Sequence, residues 1–278
     1  MILAANLYQF LCKLFLLLFF LISCSSNSNL KVSQGEIFGT TWQVKYFDEK
    51  DKDIKPLILN ELKRIDSIFS TYKKDSYISK VNRGEASEFE NDDFLRLINL
   101  SLKIKKRSNG AFNVFLNDQY DLNAIAKGYA VDTLSKILKE EEIIDFMIEI
   151  GGEMRFEGQK GTHEWSFALI DPLFNKSIHK DFKVKQNISI ATSGDYRNPG
   201  HIIDPLALSS IDTNLLSVSV LNESSTALAD AWATALYATS NNKWIDLANS
   251  NNLAAYFIYQ DSEKIVSSST LRWDELVE

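Results

Sequence analysis

TALADAWATALYAT, residues 226–239, sets an aspartate and a threonine four positions apart in a run of small side chains. Alanine is the best helix former, no glycine or proline interrupts the run, and Ser224 and Ser225 ahead of it offer N-caps, so the stretch predicts a helix. Positions i and i+4 share a helix face, which lets Asp230 and Thr234 present two hard oxygens to one cation. Ala227, Ala231 and Ala238 share that face and suit close approach of a neighbouring element. A carboxylate on such a face needs a partner. Two readings stay open: a cation seat, or a polar pair in which the threonine bonds back to a carbonyl and the aspartate meets an arginine.

The surrounding pattern mixes helices and strands. Residues 38–47 alternate like a strand, and Pro56 opens a helix with Ile58, Leu62, Ile65 and Phe69 at helical spacing. Residues 92–108 predict a helix with Phe94, Leu97, Ile98 and Leu102 inward and cations near its C-terminal end, stopped by Asn109-Gly110. A helix is expected over 126–141, then a hairpin of 143–150 and 153–156 around Gly151-Gly152. Strands are expected over 165–170, 182–192 and 215–221, and, beyond the Asp230 helix and a shorter one near Trp244, over 253–259 and 264–268. The order lacks the regular alternation of a doubly wound sheet, which points to an α+β domain.

The amino terminus reads as an address. An apolar run over 14–22 is too short to span a bilayer but matches the apolar core of a secretory signal, and Lys13 is the one charged side chain before it ends. Leu21-Ile22-Ser23-Cys24 resembles the bacterial lipobox, in which the signal is cut before a cysteine that then carries lipid. The expected division is therefore a lipoprotein signal over 1–23, a tether over 24–34 and one catalytic domain over 35–278. The expected location is the cell envelope, on the periplasmic side of the inner or outer membrane. Cys12 would leave with the signal and Cys24 would be acylated, which excludes disulfides, zinc–thiolate sites and cysteine nucleophiles. A net charge of −7 without a basic stripe argues against nucleic acid as a partner.

Several strings set a glycine or small residue beside a functional one: Phe38-Gly39-Thr40, Ser70-Thr71-Tyr72, Asn109-Gly110-Ala111-Phe112-Asn113, DLNAIAKGYAVD over 121–132, Glu149 to Glu153, ATSGDYR over 191–197 and His201-Ile202-Ile203-Asp204-Pro205. Their order, with the Asp230 helix after them, resembles the ApbE family of lipoprotein flavin transferases, which move FMN from FAD onto a threonine or serine of a target protein. The resemblance implies an α+β, ApbE-type, T-fold-like mixed domain.

Carried over position by position, the resemblance puts a Mg²⁺ site on the side chains of Asp230 and Thr234 and the main-chain carbonyl of Ala124. Three oxygen donors of this kind leave positions open for two phosphates and water. It puts FAD contacts on Phe38, Tyr72, Ala111, Phe112, Asn113, Asp121, Lys127 and Ile203. Lys127, read as opening a helix, could address a pyrophosphate, or be a solvated helix-start lysine. Tyr72 and Phe112 could stack on flat rings, or belong to the core. His201 is the candidate to accept the proton of an incoming hydroxyl, with a structural hydrogen-bonding role as the alternative.

The chain departs from the family where only a short connector joins Asn113 to Asp121, in place of several dozen residues, and where the loop from Arg197 to His201 is shortened. Asn113 replaces a usual aspartate, Phe38 a usual methionine, and Ala207-Leu208 a usual Thr-Gly. The expected activity is Mg²⁺-dependent transfer of FMN from FAD to an exported acceptor, with AMP released. The rivals are FAD pyrophosphate hydrolysis and a non-catalytic flavin-binding lipoprotein.

Overall fold

The computed structural model describes residues 29–278 apart from positions 49, 175, 176, 197, 198, 212 and 241. The expected signal segment and Cys24 lie outside the described residues. Among these, no helix is long and apolar enough to cross a membrane.

The chain enters on a hairpin of β1 (Leu30–Ile37) and β2 (Thr40–Phe47), whose ends pair Ile37 with Thr40. Phe38 (φ 54°) and Gly39 (φ 71°) form the two-residue turn, and both take the left-handed conformation that such turns favour. This corrects two expectations. Phe38 turns the chain rather than starting a strand, and β1 begins at Leu30, inside the stretch expected as tether. The signal was weak because β1 is an edge strand with solvent on much of both faces, so its sequence shows little apolar alternation.

Three helices follow: α1 (Lys55–Phe69), with proline in its first turn, α2 (Tyr77–Asn82), capped by Ser76, and α3 (Asp92–Arg107), capped by Asn91. Two-residue strands β3 (Phe115–Leu116) and β4 (Gln119–Tyr120) then meet across Asn117 and Asp118, both at positive φ. Helix α4 runs from Asn123 to Glu140. It starts three residues before the expected position because Asp121 Oδ1 accepts from the Asn123 amide (2.9 Å) and supports the first turn.

Strands β5 (Phe146–Ile150) and β6 (Glu153–Glu157) form the expected hairpin. β7 (Ser166–Ile170) pairs with β8 (Ile178–Lys183), and β9 (Ile188–Ser193) follows. The single strand expected over 182–192 is thus two strands in different sheets, joined by polar Lys185, Gln186 and Asn187. A short pair, β10 (Ile203–Asp204) and β11 (Ser209–Ser210), precedes β12 (Leu215–Asn222), α5 (Thr226–Tyr237), α6 (Trp244–Ser250), β13 (Ala254–Asp261), β14 (Lys264–Ser269) and α7 (Leu271–Leu276).

Eight strands make one antiparallel sheet in the order β1-β2-β5-β6-β9-β12-β13-β14. Alternate residues serve two cores: on β13, Ala255 and Phe257 join one while Ala254, Tyr256 and Ile258 join the other. The first core holds the apolar faces of α1, α3, α4 and α5. The second is aromatic and covered by β7, β8 and α7, with Phe182 and Trp273 ring centres 5.2 Å apart.

Two devices fix α5 against α4. Gly128 lies so close to the start of α5 that a Cβ there would sit 2.5 Å from the Thr226 carbonyl oxygen. One turn further along α4, the Asp132 carboxylate accepts from the Thr226 amide (2.6 Å), the Ala227 amide (3.1 Å) and the Ser225 hydroxyl (2.7 Å), so a side chain of α4 caps the helix that carries Asp230.

Candidate active site

A cleft of about 730 Å³ opens at the end of the large sheet where the Phe38-Gly39 and Gly151-Gly152 turns and the Ser193-Gly194 strand end meet. That volume suits a substrate of dinucleotide size. One wall is the facing part of α4 and α5, and the other is β7 from Phe167 to Ile170. Phe38, Ala111, Phe112, Asn113, Asp121, Ala124, Lys127, His201, Ile203, Asp230 and Thr234 all line it.

Tyr72 is the expected site residue that the structure leaves outside. It follows α1 in a turn beside the α4 N-terminus, where Asn123 donates to the Thr71 hydroxyl (3.4 Å), but its ring is 89% exposed and does not line the cleft. Phe112 is both core and wall: it is buried among the helices and shows one side to the cleft. Ala111 is likewise buried, whereas Asn113 spends its carboxamide oxygen on the Phe115 amide (3.3 Å).

The two parts of the expected cation seat come together across a sequence separation of 102 residues. Asp230 Oδ2 accepts from the Gly128 amide at 3.0 Å. In a helix that amide faces the carbonyl four residues earlier, which is Ala124, so the Asp230 carboxylate meets α4 one turn past that residue. Thr234, one turn beyond Asp230, lies 3.3 Å from the Ser193 hydroxyl. Asp230 is buried, and burial raises its carboxyl above the usual range, with Lys127 and the Gly128 amide pulling it down. Among the described residues no arginine pairs with Asp230, and Arg155 is held instead by Glu157, Ser189 and the Glu223 carbonyl.

Lys127 does not open a helix as expected. It sits in the second turn of α4, so the first-turn amides belong to Asn123, Ala124 and Ile125, and its ammonium meets Glu153 Oε1 at 2.5 Å. Glu153 is a site residue that sequence reasoning passed over. Burial pushes it up to about 7, with Lys127 pulling down and Asp230 pushing up. Its other oxygen, Oε2, is sealed from water with no hydrogen-bond partner. An acid directly after Gly151-Gly152 was the available signal.

His201 Nδ1 lies 2.8 Å from Asp195 Oδ1, while Asp195 Oδ2 accepts from the Gly200 amide (2.6 Å). The pair is an ion-pair contact rather than a hydrogen bond, since Asp195 Oδ1 is buried without a hydrogen-bond partner. Among the described residues no three His, Cys, Asp or Glu side chains gather as a metal site, so any cation here depends on hydroxyl and carbonyl oxygens as well.

A family model described as the ApbE family matches residues 38–118 and 116–257. The chain belongs to the ApbE family. A protein of Haemophilus influenzae named FAD:protein FMN transferase is 25% identical over an alignment of 328 residues, covering 93% of this chain and 94% of the relative. One of the same name from Buchnera aphidicola subsp. Schizaphis graminum is 28% identical, over 88% of this chain and 90% of the relative. Among solved structures, the flavin transferase ApbE of Vibrio cholerae has a TM-score of 0.79 at 23% identity, covering 90% of this chain and 99% of that one. The apo flavinyl transferase ApbE of Pseudomonas stutzeri also scores 0.79, at 27% identity, over 90% and 97%. The ApbE fold follows from these likenesses. The two pieces of the family match meet at residues 116–118, on the turn between β3 and β4.

Proposed function

We propose that this chain is an enzyme of the FAD:protein FMN transferase type, which moves FMN from FAD to a serine or threonine of an acceptor protein and releases AMP. The observation that carries the reading is the convergence of Ala124, Lys127, Asp230, Thr234 and His201 on one cleft, in a chain whose curated relatives bear that name over about nine-tenths of their length.

The residues present fit a divalent cation. Asp230 is a buried carboxylate on the Gly128 amide, and it lines the cleft with Thr234 and Ala124, a hard-oxygen set of the kind that Mg²⁺ takes while keeping positions for phosphate and water. When bound, Mg²⁺ supplies charge neutralisation and orientation for a diphosphate. Asp230, Thr234 and the Ala124 carbonyl would hold it. Lys127, fixed to one wall by Glu153, adds positive charge to the same region. His201, beside the Asp195 carboxylate, accepts the proton of the acceptor hydroxyl. The hydroxyl oxygen forms the new bond to the phosphorus that carries FMN; the bond from that phosphorus to the bridging oxygen breaks, and AMP leaves with its electron pair. The lipobox-like segment supports a lipoprotein on the outer side of the cytoplasmic membrane, acting on an exported acceptor. The formal charge gives nucleic acid no place in the reading.

One feature favours a second reaction. Only the short β3–β4 connector joins Asn113 to Asp121, and water in place of the hydroxyl would give FAD pyrophosphate hydrolysis. Incubating the full chain with FAD, Mg²⁺ and exported proteins that carry an Asp-x-x-Ser/Thr-Gly-Ala-type segment separates the outcomes. Transfer gives a flavin-sized mass gain on the acceptor with AMP, hydrolysis gives free FMN with AMP, and FAD retained unchanged indicates a flavin binder. Asp230→Ala is expected to abolish metal dependence and turnover together, and His201→Ala to spare FAD binding while slowing transfer by about 10²- to 10⁴-fold. An unchanged rate in His201→Ala would remove the base assignment.

A further inference from the structure

Glu153 opens β6 directly behind the Gly151-Gly152 turn, and its side chain reaches Lys127 of α4 with 2% of its area exposed. One oxygen takes the lysine. The other, Oε2, is closed to water and has no hydrogen-bond partner, on a residue that lines the cleft. Asp230 lies near enough to oppose ionisation of Glu153, so two buried carboxylates face a single ammonium. Lys127 can offset one negative charge and leaves the other.

An N–H group on a ligand would satisfy Oε2 as a hydrogen bond, but it would leave that excess charge beside an incoming diphosphate. A divalent cation answers both needs at once, because it supplies the missing partner and reverses the sign of the local charge. We propose that Glu153 Oε2 is a further oxygen ligand of the cation held by Asp230 and Thr234, so that the ion ties β6 to α5. The assignment rests on the cation reading given above. It also gives Glu153 two tasks, one oxygen holding Lys127 and the other the ion.

Manganese titration of the full chain without FAD tests this, with bound ion followed by electron paramagnetic resonance and its water count by proton relaxation. Wild type should bind one Mn²⁺, Asp230→Asn none, and Glu153→Gln should bind at least tenfold more weakly with one additional water on the ion. Wild-type affinity in Glu153→Gln beside loss in Asp230→Asn overturns the Glu153 ligand and leaves the Asp230 seat standing. Weaker binding with an unchanged water count also overturns it, since loss of the Lys127 anchor alone would act that way. Absence of binding in the wild type overturns both readings. Thermal unfolding without metal checks each variant; if Glu153→Gln does not fold, Glu153→Asp keeps the charge but retracts the oxygen, and unchanged Mn²⁺ affinity there rejects the assignment.

Discussion

Gly128 makes room for a helix crossing that a single methyl group would close. Alanine in place of a helix-interior glycine ordinarily gains about 1 kcal/mol. Here the added Cβ would lie 2.5 Å from the Thr226 carbonyl oxygen and 2.7 Å from Ala227 Cα, both backbone atoms that cannot swing away. Overpacking of that kind costs about 1–3 kcal/mol, and it also disturbs the amide that Asp230 uses. Gly128→Ala is therefore expected to lower the urea midpoint at unchanged m-value, despite its better propensity; a midpoint equal to or above wild type would mean that the helices part freely. Glu153 gives a pH dependence with a definite sign. Burial raises its folded value from 4.5 to about 7, so between those values the native state keeps a proton that the unfolded chain has released. Metal-free stability should then fall as pH rises through that window, by a contribution on the order of 3 kcal/mol. Asp230, raised as well, acts in the same direction. Urea unfolding at pH 4.5 and 7.5 measures the slope, which Glu153→Gln should flatten.

Among the elements, α5 is the one whose position decides the cleft, and its N-terminus is held by Asp132 of α4 and by its own Ser225, which accepts from the Leu228 amide (3.2 Å). Removing the carboxylate with Asp132→Ala should cost about 1–2 kcal/mol, the range of a lost helix cap. Mn²⁺ affinity should fall with it, as α5 loses its fixed angle; a stability loss without any change in ion binding would show that the cap does not position Asp230. Sequence alone revealed α5 well, because alanine content, the serine cap and the absence of breakers agree on one answer. It also revealed α3 and the hairpin of β5 and β6, and eleven of the twelve site residues that the resemblance implied line the cleft. It missed β1, whose edge position removes the alternation that marks a half-buried strand, and it fused the end of β8 with β9, since Phe182, Val184, Ile188 and Ile190 are apolar and only Lys185, Gln186 and Asn187 mark the step between layers. The partner choices of Lys127, Asp132, Asp195 and Glu153 were illegible for a different reason. Lys127, Asp132 and Glu153 are each settled by a residue on another element and Asp195 by the bend of its own loop, and one string shows no distances.

At the scale of the molecule, the sheet divides two cores with unequal duties. The helix-side core carries Asp230 and its neighbours, while the aromatic core backs β7, which forms the opposite wall of the cleft. Trp273 is 1% exposed and packs on Phe167, Phe182 and Tyr256. Trp273→Ala should cost about 3–5 kcal/mol and flatten the near-ultraviolet circular dichroism of the aromatic layer; a loss below about 1 kcal/mol would mean that α7 is not integral to the fold. The bond from Gly128 to Asp230 has a further consequence in time. Its two ends are separated by 102 positions, so a ribosome adding about 5–20 residues per second finishes α4 roughly 5 to 20 seconds before Asp230 is even polymerised. Through that interval the nascent polypeptide has no closed cavity in which to retain cargo, and a premature stop anywhere upstream of α5 yields a product with no seat at all.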